Sequence, residues 1–210
     1  MKVVGQYSDG SKAIDHSVDL VKGYIEHVND AKKRNKLSSI YAPHIEESSE
    51  APRAIAVFDI DDTLLFDIKS KSVPHKNVID LLRRLHAMGV HIHLVTARLD
   101  VEDMREDTLK DLQDMGLSGL YTSVSLAPES ARLSMSTVSR WKMETRLRIA
   151  RSLSCPVTLT VGDQWGDMVV FEDDGVIDKM DIETGAKFMP YVLVRPGDGV
   201  SLWGLKLPAY

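Results

Sequence analysis

Two aspartates one residue apart, Asp59 and Asp61, head the stretch Asp59-Ile60-Asp61-Asp62-Thr63, directly after the wholly apolar run Ala54-Ile55-Ala56-Val57-Phe58. Further along, Thr96 follows the apolar stretch Val90 to Val95, and Lys142 stands in Trp141-Lys142-Met143-Glu144-Thr145-Arg146. Asp163 and Asp167 come last, in Gly162-Asp163-Gln164-Trp165-Gly166-Asp167. These residue types suit phosphoryl transfer from a monoester. A carboxylate oxygen attacks phosphorus and forms an acyl phosphate that water later cleaves. A second carboxyl group supplies the leaving oxygen with a proton and then takes one from water. The attacking carboxylate repels the phosphate, so a divalent cation must lie between them, and magnesium prefers such oxygen ligands.

In this scheme Asp59 is the nucleophile and Asp61 the acid and base. Asp59, Asp61, Asp163 and Asp167 are the candidate metal residues. Thr96 donates to a phosphoryl oxygen, and Lys142 neutralises charge there and orients the nucleophile. Thr63 holds the loop and contacts phosphate, with Ala97 and Arg98 as further substrate-binding candidates. Each residue alone has an ordinary reading: an Asp or Thr after a strand is commonly a cap, and a helical lysine is usually solvated. Their order, each closing a strand or lying on a helix of an alternating chain, selects the chemical reading.

The elements that must position these groups are legible from periodicity. Ile14, Val18, Val21, Ile25 and Val28 mark one face of a helix from Ser11 to about Asn35. Lys36 to Arg53 is polar, has two prolines and reads as a connection. Ala54 to Phe58, apolar on both faces, fits a central strand of a parallel sheet. Pro74 opens a helix whose buried stripe is Val78, Leu81, Leu82, Leu85 and Met88, ended by Gly89. Then follow a strand, Val90 to Val95; a helix, Asp100 to about Met115, stopped by Gly116; a strand, Leu120 to Val124; and a polar loop, Ser125 to Ser136. A helix from Ser136 to about Leu153, a strand from Val157 to Val161, and a late strand from Tyr191 to Val194, followed by Pro196-Gly197, complete the pattern. The expected fold is α/β: a doubly wound, mostly parallel sheet with an N-terminal helical segment, 1–53, preceding a phosphatase domain, 54–210. Ligands of such sheets bind at the carboxyl ends of the strands, where Asp59, Asp61, Thr96 and Asp163 are expected.

The totals agree. The 210 residues are 43% hydrophobic and 27% charged, which excludes disordered and fibrous classes. A net charge of −5 with scattered Lys and Arg argues against a dedicated nucleic-acid binder, although a nucleic-acid end remains open as a substrate. Cys155 is the single cysteine, so no intrachain disulfide forms. With no basic, apolar leader in Met1 to Gly10 and no membrane-length apolar run, a soluble cytoplasmic protein is expected.

The quoted motifs resemble those of the haloacid dehalogenase (HAD) superfamily. Its first motif, Asp-x-Asp-x-Thr after an apolar strand, matches Val57 to Leu65. Its second matches Thr96 in Leu94-Val95-Thr96-Ala97-Arg98, its third Lys142, and its fourth Gly162 to Asp167. The match spans about Ala54 to Val170. Within the superfamily the chain looks most like the acid phosphatase branch (subfamily IIIB), with bacterial class B-like and lipoprotein phosphatases and plant vegetative storage proteins. Phe58 to Leu65, the Lys142/Arg146 spacing, Gly162-Asp163-Gln164-Trp165 and the tail Leu205-Lys206-Leu207-Pro208 carry that likeness. The resemblance implies Asp59 as nucleophile and Asp61 as acid/base. It also implies magnesium held by the carboxylates of Asp59 and Asp163 and the backbone carbonyl of Asp61.

Asp59 to Thr96 spans 37 positions and Thr96 to Lys142 spans 46, too few for a large cap domain. The site is therefore expected to be open, or shielded by the N-terminal helix, the loop Ser125 to Ser136 or a second subunit of a homo-oligomer. Such a site is compatible with small esters, nucleotides or a phosphate on a polymer end, and a small phosphate monoester is the leading expectation. The alternatives are a phosphatase of nucleotides or nucleic-acid ends, and a non-catalytic phosphate-binding or storage protein. His75, His86, His91 and His93 lack the partners of a zinc site and read as surface or packing residues. Met88, Met104 and Met115 read as core, Trp165 as packing or pocket lining, and Glu172-Asp173-Asp174 as a solvated turn.

Overall fold

The computed structural model describes residues 2–33, 54–68, 71–132, 134–172, 190–194 and 200–208. Its organising element is β2 (Ile55–Phe58), four apolar residues without a polar face. Ala56 and Phe58 enter one core layer while Ile55 and Val57 enter the opposite one, so the strand is buried on both sides. Parallel neighbours flank it: β5 (His91–Leu99) on one side and β7 (Val157–Gly162) on the other. Among the described residues the sheet has seven strands, in the order β1-β8-β9-β7-β2-β5-β6. The outer parallel members are β6 (Ser123–Ala127) and β9 (Ser201–Lys206), whereas β8 (Tyr191–Val194) and β1 (Lys2–Gln6) run antiparallel to their neighbours.

Among the described residues, four helices cover the sheet. Along α1 (Gly10–Lys33), Ala13, Ile14, Val18 and Val21 point into the larger core layer. Val78, Ile79, Leu81, Leu82 and Leu85 of α2 (Lys76–Ala87) and Leu112 of α3 (Glu102–Asp114) enter the same layer. The opposite face receives α4 (Met135–Ser152) through Ile149, beside Cys155 and Val157. Val157 and Leu159 pair with successive residues of β2, because the register slips between Ile55 and Ala56. That slip explains why Val157 faces the α4 side while Leu159 and Val161 face the other.

From β2 the chain winds outward through β5 and β6, then α4 carries it back across the sheet to β7 on the other side of β2. The winding direction reverses between β2 and β7. At such a switch point the loops leaving neighbouring strands diverge and open a crevice at the carboxyl ends.

The expected fold is present, with local differences. Pro74 ends a strand instead of opening α2: β3 (Leu65–Ile68) and β4 (Lys71–Pro74) form a two-stranded antiparallel hairpin between the first loop and α2, whose first residue follows His75. The third helix begins at Glu102, not Asp100, and Val101 precedes it in extended conformation. The strand expected at Leu120 to Val124 lies three residues later. Part of the expected loop Ser125 to Ser136 is therefore β6, followed by a 3-10 turn at Glu129–Arg132. Residues of β6 take their place through the ladder with β5, such as His93 with Ser123, and not through a strong apolar pattern of their own. Two strands, β1 and β9, carry no clear sequence signal. Gly89 and Gly116 end α2 and α3 as expected, with φ of 77° and 66°, a region glycine enters without steric cost. The connection Lys36 to Arg53, Asp173-Asp174 of the acidic turn and Pro196-Gly197 lie outside the described residues.

Candidate active site

Buried carboxylates gather where the chain leaves β2 and β7. Asp59 follows β2, its backbone N–H donating to the carbonyl of Val161 on β7 at 3.0 Å. The chain then turns sharply: the carbonyl of Ile60 accepts from the backbone N–H groups of Thr63, Leu64 and Leu65. Asp62 adopts φ of 54°, a left-handed conformation that aspartate tolerates better than most residues. Ile60, fully buried, anchors the turn from below.

Asp163 and Asp167 leave β7 on the neighbouring side. Oxygens of Asp59, Asp163 and Asp167 lie within 4.8 Å of one another, and all three residues are buried. Two metal–oxygen bonds of about 2.1–2.6 Å span at most roughly 5 Å, so a single cation can bridge them. Thr63 ties the two loops together: its Oγ1 donates to Asp163 Oδ1 at 3.4 Å and accepts from the Asp163 backbone N–H at 3.1 Å. Gln164 Nε2 donates to Asp163 Oδ2 at 2.5 Å, and the Gln164 N–H donates to Asp167 Oδ2 at 3.0 Å. Gly162 is obligatory here, because a Cβ on it would stand 2.1 Å from Asp167 Oδ2.

Lys142 reaches the cluster from the opposite face of the sheet. Ser134 caps α4, its hydroxyl accepting from the Thr137 N–H at 3.2 Å while the Thr137 hydroxyl accepts from the Ser134 N–H at 2.9 Å. Two turns on, Lys142 Nζ donates to Asp59 Oδ1 at 2.8 Å and to Asp167 Oδ1 at 2.5 Å. The buried face of this helix is Ser139, Lys142, Thr145, Arg146 and Ile149, mostly polar, since it serves the site as well as the core. Ser139 Oγ accepts from the Phe171 N–H at 3.2 Å, pinning the segment beyond Asp167.

Three carboxylates crowd around one hydrogen-bonded ammonium, and the titration of the groups reflects this. Burial raises the Asp59 pKa well above the usual carboxylate range; the Lys142 ammonium opposes the rise, and Asp167 and Asp163 add to it. Asp163 is raised to about 7, first by burial and then by Asp167, with Gln164 and Lys206 opposing. Burial alone would lower Lys142, but the Asp167 and Asp59 carboxylates outweigh it and hold the ammonium charged. A buried set of three crowded carboxylates, all oxygen donors, fits a divalent cation.

Asp61 is placed differently. Its carboxylate stands outside the three-carboxylate cluster, half exposed, and faces Arg98 and Thr96. Arg98 Nη2 donates to Asp61 Oδ1 at 2.7 Å, and Arg98 Nε lies 3.0 Å from both oxygens. The fully buried Thr96 donates to Asp61 Oδ2 at 3.3 Å and accepts from the Arg98 N–H at 3.2 Å. Ala97 and Arg98 fall where the β5–β6 register breaks, between Thr96 and Leu99. The candidate residues thus gather at one end of the sheet in two groups: Asp59, Asp163, Asp167, Lys142 and Thr63 below, and Asp61, Thr96, Ala97 and Arg98 beside them.

Several contributors had no role in the sequence reading. Asp111 of α3 accepts from Arg98, and Gln164 braces both late aspartates. His75 Nδ1 donates to the Thr63 carbonyl at 3.0 Å and so ties the start of α2 to the first loop. Lys206, buried at the end of β9, lies 5.6 Å over the ring of Trp165 and acts on Asp163. Gln164 and Lys206 lie inside motifs that carry the family likeness but had no role of their own, and a helical Asp such as Asp111 looks the same whether or not it faces a site. Trp165 packs with Met168, Phe171 and Leu193. His93 is buried with Nδ1 2.8 Å from Ser123 Oγ, and its pKa is lowered to about 4 by burial and by His91, which agrees with a packing role. Met115 belongs to the core and Met88 packs against it, whereas Met104 is half-buried on α3.

No family model and no curated protein matches the sequence. Among solved structures, a chain of the Pnkp1/Rnl/Hen1 RNA repair complex is similar at 13% identity with a TM-score of 0.49, covering 83% of this chain and 49% of that one. This chain spans about half the length of that neighbour, and the likeness is too slight to bear on function. Among the described residues no helix is long and apolar enough to cross a membrane.

Proposed function

We propose that this protein is a magnesium-dependent phosphatase of the HAD type, most like the acid phosphatase branch, acting on small phosphate monoesters through an aspartyl phosphate on Asp59. The observation that carries the reading is the buried cluster of Asp59, Asp163 and Asp167 with Lys142 bonded to two of them, at the switch point of the sheet.

In the first step an Asp59 oxygen attacks phosphorus, the bond from phosphorus to the leaving oxygen breaks, and that oxygen takes the Asp61 proton. In the second, Asp61 accepts a proton from water as the water oxygen attacks phosphorus. The phosphorus bond to Asp59 then breaks, releasing inorganic phosphate and restoring the carboxylate. Lys142 holds Asp59 in place from below. Thr96 and Arg98 stand beside Asp61, where they can meet the phosphoryl oxygens and the leaving group. A divalent cation held by Asp59, Asp163 and Asp167, with the Asp61 carbonyl, would offset the repulsion between carboxylate and phosphate.

The test is hydrolysis of an aryl phosphate by purified protein with magnesium, with chelator, and by Asp59→Asn. Turnover requiring both magnesium and Asp59 is expected. Turnover undiminished in Asp59→Asn would overturn the covalent route, and none on a broad ester panel would favour a phosphate-binding protein.

A further inference from the structure

Arg98 uses every arm of its guanidinium. Nε and Nη2 grip Asp61, while Nη1 donates to Asp111 Oδ2 at 2.8 Å and to Thr108 Oγ1 at 3.2 Å. Thr108 is fully buried and donates to the Met104 carbonyl at 2.6 Å, so it is fixed to its own helix. The guanidinium is rigid and planar, and anchoring Nη1 on α3 therefore fixes the plane in which Nε and Nη2 meet Asp61. Both Asp61 oxygens accept hydrogen bonds in this arrangement, from Arg98 and from Thr96. A carboxylate gripped this way is held in one orientation beside the buried cluster.

We infer that Asp111 is a positioning residue: acting through Arg98, it fixes the orientation of the Asp61 carboxyl group that the proposed reaction uses as acid and base. The inference rests on the phosphatase reading above. An activated ester whose phenolate departs without a proton needs Asp61 only when water cleaves the aspartyl phosphate. Loss of the α3 anchor therefore leaves formation of the aspartyl phosphate from an activated ester nearly intact and slows its breakdown.

The experiment compares wild type, Asp111→Asn, Asp111→Glu and Thr108→Val on an aryl phosphate whose phenolate departs without a proton. Folding is checked by circular dichroism, and phenolate release is followed by rapid mixing. For Asp111→Asn the expected result is a burst approaching one phenolate per chain, then steady turnover about tenfold or more below wild type. KM falls in parallel, so kcat/KM stays within about threefold, because kcat/KM reports only the steps up to phosphoenzyme formation. Thr108→Val, which removes the second acceptor of Nη1, shifts in the same direction by less, and Asp111→Glu recovers part of the loss. Folded Asp111→Asn with unchanged kcat, or with kcat/KM reduced as far as kcat and no burst, would overturn the inference alone. Wild type without turnover would instead overturn the phosphatase reading from which it starts.

Discussion

Lys142 Nζ lies 2.8 Å from Asp59 Oδ1, although 83 residues separate the two in sequence. The contact joins a strand end to a helix on the far side of the sheet, and it is almost fully buried, with side-chain exposures of 5% and 8%. A buried pair of this kind costs desolvation on both sides, but removing one partner costs more, because the other charge is left uncompensated. Here Asp167 shares the same ammonium, so loss of Lys142 would strand three carboxylates together.

Lys142→Met is therefore expected to destabilise the cation-free protein by about 3–5 kcal/mol, and millimolar magnesium should restore a large part of that loss. Denaturant unfolding with and without the cation measures both. A change below about 1 kcal/mol without cation would mean that Lys142 is not the counter-charge of the cluster.

The raised pKa values of Asp59 and Asp163 set the sign of the pH dependence. Between the ordinary carboxylate range and about 7 for Asp163, and with the same sign for Asp59, the folded chain binds more protons than the unfolded chain. Their contribution to cation-free stability is therefore full at low pH and falls as pH rises through that window. A bound cation favours the ionised groups and reverses the trend. Thermal unfolding of wild type and Asp163→Asn at pH 5 and pH 7.5 in chelator isolates the effect. The Asn variant should gain on wild type at the higher pH, and a gain at the lower pH would contradict the assignment.

Gly162→Ala forces Asp167 to move, since the new methyl group would overlap its carboxylate. Cation affinity is expected to fall about 10–100-fold, as when groups supporting a metal ligand are lost. Calorimetric titration with magnesium checks it, and unchanged affinity would show that Asp167 is not a ligand.

The helix carrying Lys142 begins at the reciprocal Ser134/Thr137 cap. Ser134→Ala should cost about 1 kcal/mol of stability, with turnover falling only if the Lys142 ammonium shifts. Unfolding and turnover measured on the same preparation separate the two effects.

Much of this arrangement is legible in the sequence because strand-end residues are fixed by the sheet. An apolar run such as Ala54 to Phe58 has to be central, and whatever follows it has to sit at its carboxyl end. That reasoning places Asp59, Asp163 and Thr96 without coordinates. Lys142 is harder, since the buried face of α4 is mostly polar and its periodicity is weak, and here the motif spacing carries the placement. β6, β1 and β9 are hidden because pairing positions them. Ser123 and Ser125 alternate with Val124 without a decisive apolar face, and Ser201 to Lys206 includes Gly204 and a buried lysine. The Asp111–Arg98 contact is hidden for another reason: Asp111 lies on a strongly acidic helix, where one more carboxylate reads as solvated surface.

The most direct test of the central claim is to quench a reacting mixture of enzyme, magnesium and phosphate ester in acid and map the phosphoryl group by mass spectrometry. A phosphoryl group on Asp59, absent from Asp59→Asn, whose turnover should fall about 10⁴-fold or more, is the expected result. Full turnover with no phosphoryl group on Asp59, or with one on another residue, would contradict it.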